Sequence, residues 1–93
     1  MALGRKHRRT LQRIFEEPTR PDIAWADFEA LLVGVGGEWR KPGRTAGSRR
    51  RAILNDVKGQ FHRPHPGSTM KKGSVEAARF FFRNAGVTPK EEK

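Results

Sequence analysis

In RRRAILNDVKGQFHR, residues 49–63, two runs with strand character flank the turn formers Asn55 and Asp56. Arg49 to Leu54 is one predicted strand and Val57 to Arg63 the next. Side chains alternate along a strand, so consecutive arginines cannot share one face. With Ala52 and Leu54 turned to a core, Arg49 and Arg51 project from the open face and Arg50 falls at its inner rim. Phe61 turned inward places His62 on the open face beside those arginines.

Upstream, Glu38 to Lys41 around Trp39 is a weaker strand, joined to the first arginine run by the turn-rich PGRTAGS. The three segments are spaced like an antiparallel meander. Helical periodicity flanks them. Leu11, Ile14 and Phe15 predict a short amphipathic helix over about 8–17, ended by Pro18 and Pro21. Trp25, Phe28, Leu31, Leu32 and Val35 form one face of a second helix, about 25–35. Asp27 and Glu29 are expected in its first turn, where carboxylates suit the positive dipole end. Gly36 or Gly37 is the left-handed cap.

After the PHPGS turn, Val75, Ala78, Phe81, Phe82 and Ala85 mark a helix over 74–85. Gly86 caps it, Pro89 forbids its resumption, and PKEEK reads as a frayed tail. Three consecutive phenylalanines cover about 200° of a helix, because each step turns about 100°. Phe81 and Phe82 belong to the apolar stripe, which leaves Phe80 at the rim beside Ala77, available to a protein partner. The expected fold is α+β: a small three-stranded antiparallel sheet with helices on one face, plus an extra N-terminal helix. One domain spans 1–93, with a basic arm, helix and linker over 1–21, a core over 22–88 and a tail over 89–93.

Twenty Lys and Arg against ten Asp and Glu give these 93 residues a formal charge of +10 and a pI near 11.3. Such a field attracts polyanions, either a nucleic acid or a very acidic protein. The absence of cysteine excludes disulfides, zinc ribbons and thiol catalysis. No apolar run approaches the roughly 20 residues that span a bilayer. MALGRKHRRT has the charge of a signal n-region without an apolar stretch after it, and Ala2 departs from the myristoylation pattern. The expectation is a soluble cytoplasmic protein with no membrane partner. Gly34, Gly36 and Gly37 are not a phosphate loop, because a strand follows them rather than a helix with a Lys-Ser/Thr pair.

Arg49 and Arg51 on a flat face suit phosphate, which guanidinium binds in a planar bidentate fashion. Together with Lys58, Arg63, Lys71 and Lys72 they are the predicted phosphate-tracking surface. His62 and His65 sit in FHRPHPG, where Pro64 and Pro66 bias their neighbours toward extended geometry. No cysteine or nearby carboxylate completes a ligand set, so no metal site is expected. Histidine in general titrates near neutrality and can move protons. On residue types alone, the pair are either proton-transfer groups or polar residues of a strand and its turn.

AGSRRRAILNDV, then FHRPHPG, then KKGSVEAARFFFRNAGV resembles the HicA family of toxins from bacterial toxin–antitoxin systems. KHRRTLQRIFEEP and IAWADFEALLVGVGGEW are similar to the front end of a longer branch of that family, so the resemblance covers nearly the whole chain. It implies a fold similar to a double-stranded-RNA-binding domain, ribosome-independent cleavage of mRNA, growth arrest, and neutralisation by a HicB-type antitoxin; no cofactor is expected. The family's motif is Gly-Ser-His with a catalytic histidine; here Gly47 and Ser48 are followed by Arg49. Guanidinium does not act as a base at neutral pH. The resemblance therefore leaves His62 or His65 to take the proton, with Arg49 stabilising charge, or RNA binding without cutting, or a basic face that mainly binds an acidic antitoxin.

Overall fold

The computed structural model describes residues 3–40, 47–65 and 67–89. Its elements run α1 (Arg5–Ile14), α2 (Trp25–Gly34), β1 (Glu38–Arg40), β2 (Arg49–Leu54), β3 (Val57–His62) and α3 (Lys72–Asn84). The strands form one antiparallel sheet in the order β1-β2-β3, the expected meander. Most of the PGRTAGS turn, and all of PKEEK after Pro89, lie outside the described residues.

The β2–β3 hairpin closes through two residues with positive φ, Asn55 at 49° and Asp56 at 68°. Positive φ at both central positions is the type I′ requirement, and that turn's twist matches the strands it joins. Asn55 also donates from Nδ2 to the carbonyl of Ala85 at 2.8 Å, tying the hairpin tip to the end of α3. Register follows from the turn: Leu54 opposes Val57, Ala52 opposes Gly59, Arg51 opposes Gln60 and Arg49 opposes His62.

Ala52, Leu54 and Phe61 turn inward and are buried against the helices. Phe28 is the hub of the core, with its ring centroid 5.0 Å from Phe61, 5.4 Å from Trp39 and 5.9 Å from Phe82, all edge-on. Edge-to-face pairs add about 0.5–1.5 kcal/mol each beyond the area they bury. Gly59 lets α3 lie close to β3, since a Cβ there would come 2.8 Å from the Phe81 ring. On α3, Phe81 and Phe82 are buried while Phe80 is 63% exposed, the phase its spacing predicts.

Both long glycine-capped helices end alike. At α2, Gly36 (φ 94°) donates to Val33 O and Gly37 to Leu32 O; at α3, Gly86 (φ 80°) donates to Arg83 O and Val87 to Phe82 O. Each is a Schellman motif, which satisfies carbonyls the helix itself leaves open. The other boundaries shift slightly. α1 starts at Arg5 and stops at Ile14 rather than spanning 8–17. Pro18 disfavours helical geometry at Glu17, and burial of Leu3 draws the start of the helix forward. Glu29 falls outside the first turn of α2. Asp27 alone lies there, and it pairs with Lys6 at 3.6 Å.

Leu11 and Ile14 are fully buried, so α1 is part of the core. Arg79 on α3 holds the segment after it. Its guanidinium, in a residue only 9% exposed, donates to Ile14 O at 2.9 Å, Glu16 O at 3.1 Å, Thr19 Oγ1 at 3.0 Å and Glu17 Oε2 at 3.0 Å. Nearby, Arg20 bonds Glu16 and Asp22, and its bonds hold the Asp22 carboxyl down to about 2.

Candidate nucleic-acid interface

The alternation that buries Ala52, Leu54 and Phe61 sends Arg49, Arg51, Lys58, Gln60 and His62 to the opposite face of the sheet. Helices cover only the inner face, so these side chains meet solvent. Arg51 and Lys58, with Gly59 and Gln60, line a shallow depression on that open face. Arg50, across from Phe61, turns back instead: its Nη1 donates to the carbonyls of Gly47 (3.0 Å) and Arg49 (2.9 Å). It stiffens the start of β2 and is spent there, as its place at the inner rim implies.

Arg49 and His62 are direct cross-strand neighbours. The next pair outward is hydrogen-bonded, Arg63 N–H to Ser48 O at 2.8 Å. Hydrogen-bonded and non-bonded pairs alternate in an antiparallel ladder, so Arg49–His62 is a non-bonded pair, the type whose side chains approach more closely. Ser48 Oγ lies 3.5 Å from His62 Nδ1. That contact engages one ring nitrogen of an exposed residue. Sequence reasoning placed Ser48 in the Gly-Ser motif but gave it no role; its place just before the arginine run, facing the end of β3, is the signal for its contact with His62.

Beyond His62 the chain turns toward α3, and the basic surface turns with it. His62, Arg63, Lys71 and Ser74 line a cavity of about 270 Å³ together with the apolar Trp25, Pro64 and Met70. His65 lines a different, wider depression with Pro64, Gly67, Ser68, Thr69 and Lys71. The cavities that the two histidines line have Pro64 and Lys71 in common. Lys72 is exposed at the first position of α3. Phe80 lies elsewhere, along the groove between α3 and β3 with Val57, Ala77, Phe81 and Asn84.

Among the described residues, no three His, Asp or Glu side chains are grouped to hold a metal ion, and no helix is long and apolar enough to cross a membrane. Compared with family models, curated proteins and solved structures, the chain matches none.

Proposed function

We propose that the protein is a HicA-like toxin of a type II toxin–antitoxin system, acting in the cytoplasm, that binds mRNA on its open sheet face and cleaves it. The observation that carries this reading is Arg49 directly opposite His62 on a face that also bears Arg51 and Lys58. The charge of +10 and the HicA-like order of sequence motifs support it.

Arg49 and Arg51 hold the scissile phosphate through bidentate bonds. His62 takes the proton of the ribose 2′-hydroxyl. The 2′-oxygen bonds to phosphorus, the bond from phosphorus to the 5′-oxygen breaks, and the leaving oxygen takes a proton from solvent or from His65 on the neighbouring depression. The products are a 2′,3′-cyclic phosphate and a 5′-hydroxyl. Charge growing on the phosphoryl oxygens meets fixed guanidinium groups, which is where preorganised electrostatics lowers a barrier. One residue favours a second reading: Arg49 stands where the HicA motif carries its catalytic histidine, so the chain could bind RNA without cutting it. Incubating purified protein with an RNA oligomer in EDTA separates the two. Cyclic-phosphate ends are expected; bound but intact RNA selects the second reading.

Binding has its own test. If Arg49, Arg51, Lys58, Arg63, Lys71 and Lys72 track one strand, affinity falls steeply with salt, with a log–log slope of about −0.7 per phosphate neutralised. Arg51→Ala should weaken all RNA sequences alike and make that slope shallower by about one phosphate's share. An affinity nearly independent of salt contradicts the interface.

The partner in this reading is an acidic, HicB-like antitoxin, with Phe80 as an anchor. Phe80 is exposed beside an apolar groove, so Phe80→Ala should leave the melting temperature within about 4 °C of wild type, as surface substitutions do. The complex should weaken about tenfold or more, the usual cost of truncating an aromatic anchor. Unchanged antitoxin affinity removes Phe80 from the interface.

A further inference from the structure

The cavity beside His62 has features that a phosphate-binding face does not need. Its wall is apolar, built from Trp25, Pro64 and Met70, while its rim carries Arg63, Lys71, Ser74 and His62. The wall is held in place by a short pairing of distant segments. Ala24 bridges Thr69, Trp25 N–H donates to Ser68 O at 3.1 Å, and Met70 N–H donates to Ile23 O at 2.8 Å. Together these fix the start of α2 against the approach to α3.

Two sets of donors around this cavity have no protein acceptor: the first turn of α3, of which Ser74 lines the cavity, and the buried indole of Trp25. The first turn of α3 begins at Lys72 with no side-chain cap from Lys71. The N–H groups of Lys72, Gly73 and Ser74 are therefore open at the positive end of a helix dipole, where a phosphate is favoured. The second donor is an indole. Trp25 is only 5% exposed, and its Nε1 has no acceptor among the described residues. The other indole differs, since Trp39 Nε1 donates to Glu29 O at 3.0 Å. A buried N–H without an acceptor is uncommon in folded proteins and calls for an explanation.

We propose that this cavity takes one unpaired nucleobase, with the attached phosphate at the first turn of α3 and between Arg63 and Lys71. The proposal rests on the RNA-binding reading and narrows it to a single strand with one base turned out. About 270 Å³ is near the small end of ligand sites, generally about 300 Å³ or more, and suits a single ring system. The apolar wall, which includes Trp25, accepts the faces of a base, and the cationic rim suits its phosphate. A base within a duplex is stacked and paired and cannot enter, which is why single strands are the usual targets of base-reading pockets. A bare anion would use the helix end and the cations but leave the wall unused.

Indole N–H resonances of ¹⁵N-labelled protein read this directly, with Trp39 as the internal reference. Titration with UMP and AMP should shift the Trp25 indole signal and the Gly73 and Ser74 amides, leaving the Trp39 indole in place. Ribose 5-phosphate and inorganic phosphate should shift the amides alone. A single-stranded RNA oligomer should move the Trp25 signal and bind at least tenfold more tightly than a duplex of equal length. Ser74→Phe, which fills the mouth, and Arg63→Ala should each weaken UMP binding about tenfold. A Trp25 signal unmoved by millimolar nucleotide overturns the proposal, as does a response to phosphate equal to that of UMP. A Trp25 shift produced by a Glu- and Phe-containing peptide but by neither nucleotide also overturns it. RNA binding with a silent Trp25 removes the pocket and leaves the RNA-binding reading standing; UMP binding without oligomer binding does the reverse.

Discussion

Arg79→Met should lower the unfolding free energy by about 2–5 kcal/mol, because it leaves the carbonyls of Ile14 and Glu16 without the donor they now share. Methionine keeps the aliphatic stem, so the change isolates the guanidinium's bonds from its packing. The stake is large for a chain of this size, whose whole stability is roughly 5–14 kcal/mol. Urea denaturation should show a lower midpoint with an unchanged slope, the sign of lost stability without a changed denatured state. Glu17→Gln is the control. The Glu17 side chain is 76% exposed, and its ion pair with Arg79 should be worth less than about 1 kcal/mol. A midpoint for Arg79→Met equal to wild type would mean that the segment from Ile14 to Thr19 is held by something other than this residue.

Arg79 also shows where sequence reasoning stops. In a chain of charge +10, an arginine on an amphipathic helix reads as a solvated cation. Its burial depends on meeting the carbonyl end of α1, more than sixty residues away, and no local pattern encodes that meeting. The sheet is the opposite case. Ala52, Leu54 and Phe61 recur at the strand period around Asn55-Asp56, and register follows from the turn, so the open-face placement of Arg49, Arg51 and His62 was legible. Phe80 was legible for the same reason, since helical phase is local.

The cavity beside His62 was not legible. Trp25, Met70 and Ser74 come from three segments joined by the Ala24–Thr69 bridge, and a two-residue pairing leaves no periodic trace. Gly59 was a missed signal: a glycine inside a strand marks a close approach, here of the Phe81 ring. For the histidines, spacing along the chain could not tell whether both reach one site. They line two separate depressions that have Pro64 and Lys71 in common.

That separation gives the two histidines unequal expected effects. His62 is opposite Arg49, 3.5 Å from Ser48 Oγ, and beside the cavity at the start of α3, so a phosphate held by Arg49 lies next to it. His62→Ala should reduce RNA cleavage by at least about 10²–10⁴-fold, the range that a positioned proton-transfer group contributes. RNA affinity and its salt slope should change little, because the phosphate contacts belong to Arg49, Arg51, Lys58, Arg63, Lys71 and Lys72. His65→Ala should cost less, since a proton for the leaving oxygen can also come from solvent in the wider depression that His65 lines. Ser48→Ala should fall between them and act on the rate rather than the affinity, because it touches the ring and not the phosphate. The assay is single-turnover cleavage of an end-labelled RNA oligomer in EDTA, with product ends identified by their susceptibility to phosphatase before and after acid opening of the cyclic phosphate. If the His62→Ala protein cuts as fast as wild type, the Arg49–His62 pair is a binding feature and the base must be sought elsewhere on the chain.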